Sequence, residues 1–545
     1  MGIRIALAFA FCLVGAGLHA HTTAASEGYV GNQACAKCHA AIVDSYGRTP
    51  MANASGPATA DLITGEFHHQ KSGVNYRIQE EDGKVWLNFD RPGDSEVHGR
   101  RQLLYYIGQG RRGRTYLFAV DGFLFESPVN WYGDRKMWDM TPAYGDAREI
   151  PMNLPALPSC LECHASGFKP PIGGSENRYP APFIEYTGVS CERCHGPGAA
   201  HVNSGGGIAN PGKMPAARRD GVCMQCHLEG DAAIERPGKH LYQYRPGEDL
   251  SEFIRYYVLV DSNGTGLRAS SQFEALAQSA CKKKSGVAMS CTSCHDPHRA
   301  VKPEERVTFY RAKCLNCHGE NFGAKHHADK MDCTSCHMPA ALSSDVAHTE
   351  VTNHSIPRRP SILPKVDDAS RQRESKLQPF PYSAEAANDA RDLGLAWESI
   401  AGSGVPHAES EAERQLKVAA KSPDPAVLSA IGYLEQKRGN LDAASKSYRE
   451  ALEISPGLID VENNLASLDA RTGHTPEAVT LWEDAFQKAP GRSTIGMNLA
   501  RAFCASHQYD AARNFTMRVL QFNPDLTAAK RLMNGLNAVP PKCAP

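Results

Sequence analysis

Seven copies of Cys-x-x-Cys-His constrain this 545-residue chain more than any other feature. The cysteine pairs are Cys35 with Cys38, Cys160 with Cys163, Cys191 with Cys194, Cys223 with Cys226, Cys291 with Cys294, Cys314 with Cys317 and Cys333 with Cys336. The histidines that close them are His39, His164, His195, His227, His295, His318 and His337. Two thiols at this spacing add to the two vinyl groups of one porphyrin, and the adjacent imidazole binds the iron; this is the attachment signature of c-type haem. The motifs absorb 14 of the 18 cysteines. Closed zinc sites need such motifs in pairs and need no histidine after each one. A disulfide scaffold does not repeat one spacing so strictly, and a thioredoxin-like redox pair is expected once, inside a βαβ pattern. The cofactor expectation is therefore seven covalent haems c with their iron.

All seven motifs lie between residues 35 and 337. Residues 26–357 give roughly 47 residues per motif, too few for a separate apolar core around each porphyrin. The porphyrins themselves must form much of the core, so a loop-rich region of short helices is expected. Gly196-Pro197-Gly198, Gly205-Gly206-Gly207 and Pro170-Pro171 punctuate it accordingly. One stretch differs. Tyr76 and Ile78 alternate with polar neighbours, Asp82-Gly83 marks a turn, and Val85, Leu87 and Phe89 alternate again. A second hairpin signal runs from Thr115 through Asp121-Gly122 to Phe125. A small antiparallel β insert is expected at 73–130, covering the first haem or docking a partner.

Residues 358–382, with several prolines and a charged run, read as a linker or surface clamp. Beyond them the pattern turns helical. Pro456, Pro490 and Pro524 are spaced by 34, as are Ala444, Ala478 and Ala512, and Ile431, Leu465 and Leu499. A 34-residue helix–turn–helix period marks tetratricopeptide repeats. Units are read at 422–455, 456–489 and 490–523, with a degenerate unit before and a capping helix after, in an α-solenoid over 383–540. The fold expected is thus mainly α, with a multihaem region, a β insert and this C-terminal array.

The first 25 residues read as a secretory signal: Arg4, an apolar run from Ile5 to Leu18, then small residues. Phe11 precedes Cys12 where a lipobox needs a small residue, which argues against a lipoprotein. No later segment reads as a transmembrane anchor. The expected location is the periplasm or the exterior. The formal net charge of −1 gives no case for nucleic acid; haem propionates would make the holoprotein more acidic.

Function turns on the far side of each iron: a second histidine closes it for electron transfer, an open position admits a small molecule. The haem region holds ten non-motif histidines for seven positions. His201 and His298 are expected to reach neighbouring haems, and His348 and His354 to fold back over the cluster. One member each of His68-His69 and His326-His327 is expected to bind, taken as His68 and His326. His98 and His240 stay open between ligand and surface. Cys504 and Cys543 are free to pair, leaving Cys281 over. Arg100, Arg101, Arg111, Arg112 and Arg114 form a basic cluster, read either as facing haem propionates or an acidic partner, or as a solvated sheet edge.

The stretch from Gly188 to Val202 (GVSCERCHGPGAAHV) resembles haem segments of the tetrahaem cytochrome c family of nitrifying bacteria. That family is related in haem packing to the multihaem nitrite reductases and hydroxylamine oxidoreductases. The stretches from Met289 to His298 (MSCTSCHDPH) and His348 to His354 (HTEVTNH) resemble exported multihaem cytochromes with a tetratricopeptide tail. The resemblance implies haem pairs in close contact and mostly bis-histidine irons. It also implies departures. No motif here replaces its histidine by the lysine of pentahaem nitrite reductases, and sequence shows no tyrosine cross-link, although Tyr105, Tyr106 and Tyr116 are present. The leading expectation is an electron carrier. Its partners would be redox proteins, such as other cytochromes or a quinol-linked donor, docked through the repeats. The alternative is a reductase or oxidase of a small nitrogen or sulfur compound at one open haem.

Overall fold

The computed structural model describes residues 28–260, 267–326, 332–359 and 376–543. The leader at 1–25, His327, and residues 360–375 of the linker lie outside the described residues.

An antiparallel sheet dominates the first part. Its strands are β1 (Ser55–Pro57), β2 (Gly65–His69), β3 (Val74–Glu81), β4 (Lys84–Arg91), β5 (Asp94–Ile107), β6 (Gly113–Val120), β7 (Phe123–Tyr132) and β8 (Met137–Met140). The order is β2-β3-β4-β5-β6-β7-β8, with β1 on β5. The sheet curls until β2 meets β8: Gly65 has no side chain where the Trp138 indole lies, and a Cβ there would come within 2.3 Å of it. Tyr76, Ile78, Val85, Leu87, Phe118 and Phe125 fill the interior. Asp82-Gly83 and Asp121-Gly122 both turn with positive φ, the backbone that two-residue hairpins need. The sheet is larger than the insert expected at 73–130. The strands beyond it, β1, β2 and β8, are short, and within it the first half of the long β5 is rich in charged residues that break the alternation.

The helices of the haem region are short: α1 (Asn32–Gly47), α2 (Pro158–His164), α3 (Glu192–His195), α4 (Ala199–Ser204), α5 (Ala216–His227), α6 (Gln272–Gln278), α7 (Ala280–Ser285), α8 (Arg306–His318), α9 (Glu320–Lys325) and α10 (Cys333–His337). Small strands tie them together: β9 (Ala165–Gly167) with β10 (Tyr186–Thr187), β11 (Ala232–Glu235) with β12 (Ile254–Val260), and β13 (Ala340–Leu342) with β14 (Glu350–Thr352). A further strand, β15 (Lys376–Phe380), pairs with β12. This corrects the linker reading for those five residues. Pro379 suggested a loop, but an edge strand accommodates proline, and alternate residues Leu377 and Pro379 turn inward.

The C-terminal helices form antiparallel pairs: α11 (Ala390–Ile400) with α12 (Ala408–Ala419), α13 (Pro425–Lys437) with α14 (Leu441–Ile454), α15 (Ile459–Arg471) with α16 (Thr475–Lys488), and α17 (Ser493–Ala505) with α18 (Tyr509–Phe522); α19 (Thr527–Leu536) follows. Ala444, Ala478 and Ala512 are fully buried where helices approach closely. Gly432 lies under the Tyr448 ring, 2.6 Å from where a Cβ would stand. A Cys504–Cys543 disulfide ties the tail to α17.

This array is fastened at both ends. At its start, Asp392 is fully buried and receives Arg236, Arg255 at 3.2 Å and Arg391 at 2.7 Å. Arg236 follows β11 and Arg255 belongs to β12. At its end, Asp525 takes the Ile150 amide at 3.0 Å and pairs with Arg91, while Phe522 enters the large sheet's core against Phe123 and Phe125. Among the described residues no helix is long and apolar enough to cross a membrane.

Candidate haem-binding sites

Six of the seven motifs fall on α-helical segments: within α1, at the ends of α2, α5 and α8, and over α3 and α10. The fifth opens on a 3₁₀ turn at Cys291–Ser293. Helical spacing puts residues three and four apart on one face, so both thiols and the imidazole emerge together. The histidine rings are oriented by their Nδ1 atoms. His164 meets the Ala54 carbonyl at 3.3 Å, His195 that of Ala209 at 2.8 Å, His337 that of Pro357 at 3.0 Å, and His227 the Gln272 Oε1 at 3.0 Å. A carbonyl on Nδ1 fixes the tautomer that leaves Nε2 as the lone-pair donor for a metal. Burial also pushes the pKa of His164, His195, His295 and His354 down, holding these imidazoles neutral, the ligating form.

Four motif histidines face a non-motif histidine. Ring centres lie 6.4 Å apart for His39 and His201, 5.9 Å for His195 and His298, 6.2 Å for His295 and His354, and 6.1 Å for His337 and His326. A metal–imidazole bond is about 2 Å and the ring centre lies about 1 Å behind the nitrogen, so two imidazoles across one ion stand about 6 Å apart. The second rings are oriented like the first: His201 and His354 engage the Gly206 and Thr352 carbonyls through Nδ1, at 2.7 and 2.9 Å.

The remaining candidates are placed otherwise. His348 uses Nε2 itself, on Asp139 at 2.8 Å, and packs on Tyr132. His68 is exposed on β2 with Nδ1 on Asn75; its neighbour His69 is buried against Ser72. His98 bonds the Ser95 carbonyl, and His240 bonds Glu235 and stacks on Tyr242. No described imidazole stacks on His164 or His227. Phe322 stacks on His318 at 5.0 Å.

The thiols order the sites in space. Cys191 interacts with Cys35, Cys226 with Cys163 and Cys194, Cys291 with Cys223, and Cys314 with Cys294 and Cys333. The motifs therefore run first–third–fourth–fifth–sixth–seventh, with the second beside the fourth. Cys333 and Cys336 play different parts at the end of this row. Cys333 meets the sixth motif, whereas Cys336, half-buried three residues further along α10, accepts a weak bond from the neighbouring Ser335 hydroxyl at 3.9 Å. All the motif cysteines, Cys336 included, are free thiols outside any disulfide, the state that attachment starts from. Burial pushes the Cys160 and Cys191 thiols up to about 12 and Cys194 and Cys314 up to about 11. Among the described residues no cluster of His, Cys, Asp and Glu is set to hold a bare metal ion.

Sequence reasoning missed Glu192, inside the third motif. It is 1% exposed and its carboxylate accepts the amides of Val30 at 2.9 Å, Gly31 at 2.8 Å and Gly198 at 2.8 Å. It joins the segments that carry His39, His195 and His201. Nothing at an x position of the motif flags this; only the fold brings the amides to it. Glu192→Ala orphans two buried amides and a half-buried one and should cost about 3 kcal/mol, read as a lowered denaturant midpoint. Glu192→Gln keeps one acceptor oxygen and should lose less. An unchanged midpoint in both would remove this role.

The residues fit a porphyrin in a further way. Between Ala275 and Val351 no described apolar side chain is buried. The 13-residue α8 buries nothing, although it carries Phe309, Tyr310 and Leu315. A helix of that length is marginal without packing, so the apolar face here needs a non-protein surface, and the Cys-x-x-Cys-His pairs beside it specify which one.

Together these features define a c-type cytochrome with several covalently attached haems, joined to a C-terminal tetratricopeptide repeat domain. Known proteins match parts of the chain. The family model "Cytochrome c554 and c-prime" matches residues 138–196, and "Doubled CXXCH motif" matches 285–323. "Multiheme cytochrome MtrA" of Shewanella baltica (strain OS185) is 25% identical over 189 residues, 31% of this chain and 54% of that protein. "Dissimilatory sulfite reductase MccA" of Wolinella succinogenes is 25% identical over 190 residues, 29% of this chain and 23% of that protein. The match thus spans about half of one relative and a quarter of the other. A tetratricopeptide repeat protein from Parabacteroides merdae aligns with 27% of this chain and 58% of its own, at 23% identity and a TM-score of 0.24.

Proposed function

We propose that this chain is an exported electron carrier with seven haems, four of them bis-histidine. The observation that carries this is the four imidazole pairs about one metal's width apart, each joining a motif histidine to a non-motif one. When bound, each haem supplies a one-electron site whose potential follows its axial ligands and surroundings. The chain's own residues attach, orient and space these sites. Carbonyls aim the imidazoles, and Glu192 locks the first and third motifs together. His39 and Cys38 at one end, and Cys317 and His318 toward the other, are exposed, which suits entry and exit of electrons. The Cys504–Cys543 disulfide supports an oxidising compartment, in keeping with the leader read at 1–25. The repeat domain then serves as a docking surface for a redox protein, another cytochrome or a quinol-linked donor.

A second reading has one specific observation behind it: no described imidazole stacks on His164 or His227. His164 lies in the second motif, which sits off the main row against the large sheet; there the Glu126 carboxyl, its pKa raised by burial, meets Cys160 at 3.6 Å. A small oxyanion of nitrogen or sulfur reduced at an iron open on that side would make the protein an oxidoreductase.

Intact mass of the secreted protein should exceed the processed chain by seven haems, and low-temperature EPR should show low-spin signals for the paired sites. His201→Ala should turn one of these high-spin. A mass increment other than seven, or an unchanged spectrum in His201→Ala, would overturn the carrier as drawn. Sulfite or nitrite shifting the Soret band of the wild type would favour the enzyme.

A further inference from the structure

His348 stands six residues before His354 on the same stretch of chain, yet among the described residues it stacks on no motif histidine. Its backbone is left-handed, with φ at +56°. That conformation is costly for a residue other than glycine and persists where the surroundings hold it. Two side chains of the large sheet do so. Asp139 of β8 accepts from His348 Nε2 at 2.8 Å, and the Tyr132 ring of β7 meets the imidazole edge-on, with ring centres 5.0 Å apart. A carboxylate only accepts, so Nε2 carries the proton and has no lone pair left for iron.

The residues that follow are held from two directions. Thr349, Val351 and Asn353 are buried. Val351 pairs with Ala341 across β14 and β13, and the Asn353 amide donates to the Pro339 carbonyl at 3.0 Å. From the other side the sheet holds Glu350. Its amide donates to Asp134 at 3.1 Å, and Arg112 donates to its carbonyl. Tyr132, Asp134 and Asp139 all belong to one hairpin, that of β7 and β8. Four residues after Glu350 comes His354, its ring centre 6.2 Å from that of His295 and its Nδ1 on the Thr352 carbonyl. The chain before this point has no comparable hold, since Val351 is the first described apolar side chain after Ala275 to be buried.

We propose that His348 is a positioning residue: clasped by Asp139, it seats β14 on the large sheet so that His354 reaches the fifth iron and keeps that iron closed. This rests on the reading of His295 and His354 as one bis-histidine site. The imidazole that seats the strand and the imidazole that binds are then different residues with different partners. An iron with two imidazoles passes electrons, whereas one that loses its second ligand admits a small molecule. The clasp therefore decides which of these the fifth site does, from a hairpin that carries no haem motif.

The test uses the full-length holoprotein, reads high-spin haem by low-temperature EPR, and takes intact mass to check that each variant keeps the wild-type haem content. His354→Ala should show one high-spin haem more than the wild type. His348→Ala and Asp139→Ala should each show the same additional signal, and free imidazole added to either should abolish it. Asp139→Asn keeps an acceptor oxygen for Nε2 and should stay low-spin, a rescue that general loss of packing would not give. The double variant His348→Ala/His354→Ala should show one extra high-spin haem, because both changes act on one iron. Two extra high-spin haems would mean that His348 itself binds an iron, and would overturn the inference. So would an unchanged spectrum in His348→Ala or Asp139→Ala beside a high-spin His354→Ala. An unchanged spectrum in His354→Ala would instead sink the His295–His354 pairing, and the clasp with it. Should Asp139→Ala or His348→Ala lose haem, His348→Phe, which keeps a ring against Tyr132 and removes the bond to Asp139, decides by the same readout.

Discussion

Produced in a host that cannot attach haem, the chain should lose the order of residues 276–326 and 332–350 altogether while keeping its C-terminal helices. The first segment buries no described apolar side chain, so nothing but porphyrin faces offsets the conformational entropy of ordering it, about 1–2 kcal/mol per residue for backbone alone. The helical array has its own apolar clusters, around Leu499 and Trp482 and around Leu434 and Trp397, and a disulfide closing its tail. Hydrogen exchange of the haem-free and haem-loaded proteins checks this. Amides of α8 should exchange without protection in the first and slowly in the second, with α13–α18 protected in both. Protection of α8 without haem would mean that protein packing holds this segment after all.

The second large effect is expected at Asp392. Its carboxylate is fully buried and holds Arg236, Arg255 and Arg391 together. Removing one partner of a buried ionic network costs about 3–5 kcal/mol, because the charges left behind stay desolvated. Here three cations would remain, with only Asp389, Glu385 and Asp424 at the edge to share them. Asp392→Ala should therefore lower stability by about 3–5 kcal/mol and detach the start of the helical array from β11 and β12. Limited proteolysis should then cut near residues 376–389 in the variant and not in the parent. Asp392→Asn keeps the shape and some acceptor capacity and should fall between. A loss under about 1 kcal/mol for Asp392→Ala would show that the arginines find other partners.

The repeat period was legible because helix pairs of one length, stacked on each other, force small residues and prolines into fixed columns. Ala444, Ala478 and Ala512 carry that information, and Pro456, Pro490 and Pro524 each follow the second helix of a pair. The motif cysteines and histidines were legible because the chemistry of attachment fixes their spacing. That spacing says nothing of surroundings: Cys333 touches the sixth motif and Cys336 its own neighbour Ser335, a difference only the fold makes. The large sheet was legible only where its strands alternate. β5 spends its first half on charged residues facing solvent, and β1 is three residues long, so neither leaves a pattern. Lys376–Phe380 was hidden by its proline.

The far-side histidines mark the limit most clearly. His201, His298, His326 and His354 face motif histidines that lie 162, 103, 11 and 59 residues away in sequence, separations no local rule reads. His348 looks the same on paper as His354, six residues on. The difference is that the Thr352 carbonyl takes Nδ1 of one, while Asp139, from the large sheet, takes Nε2 of the other. Glu192 was illegible for the same reason, since its three amide partners come from two other loops.

The helical array is bolted at Asp392 to strands beside the fourth motif and at Asp525 to the sheet beside the second, and these two motifs are neighbours through Cys226 and Cys163. A brace tied at both feet resists breathing between the bodies it joins. Tunnelling falls off steeply with distance, so for the carrier proposed above, suppressing that breathing would keep the hop from the row to its side branch at a steady rate.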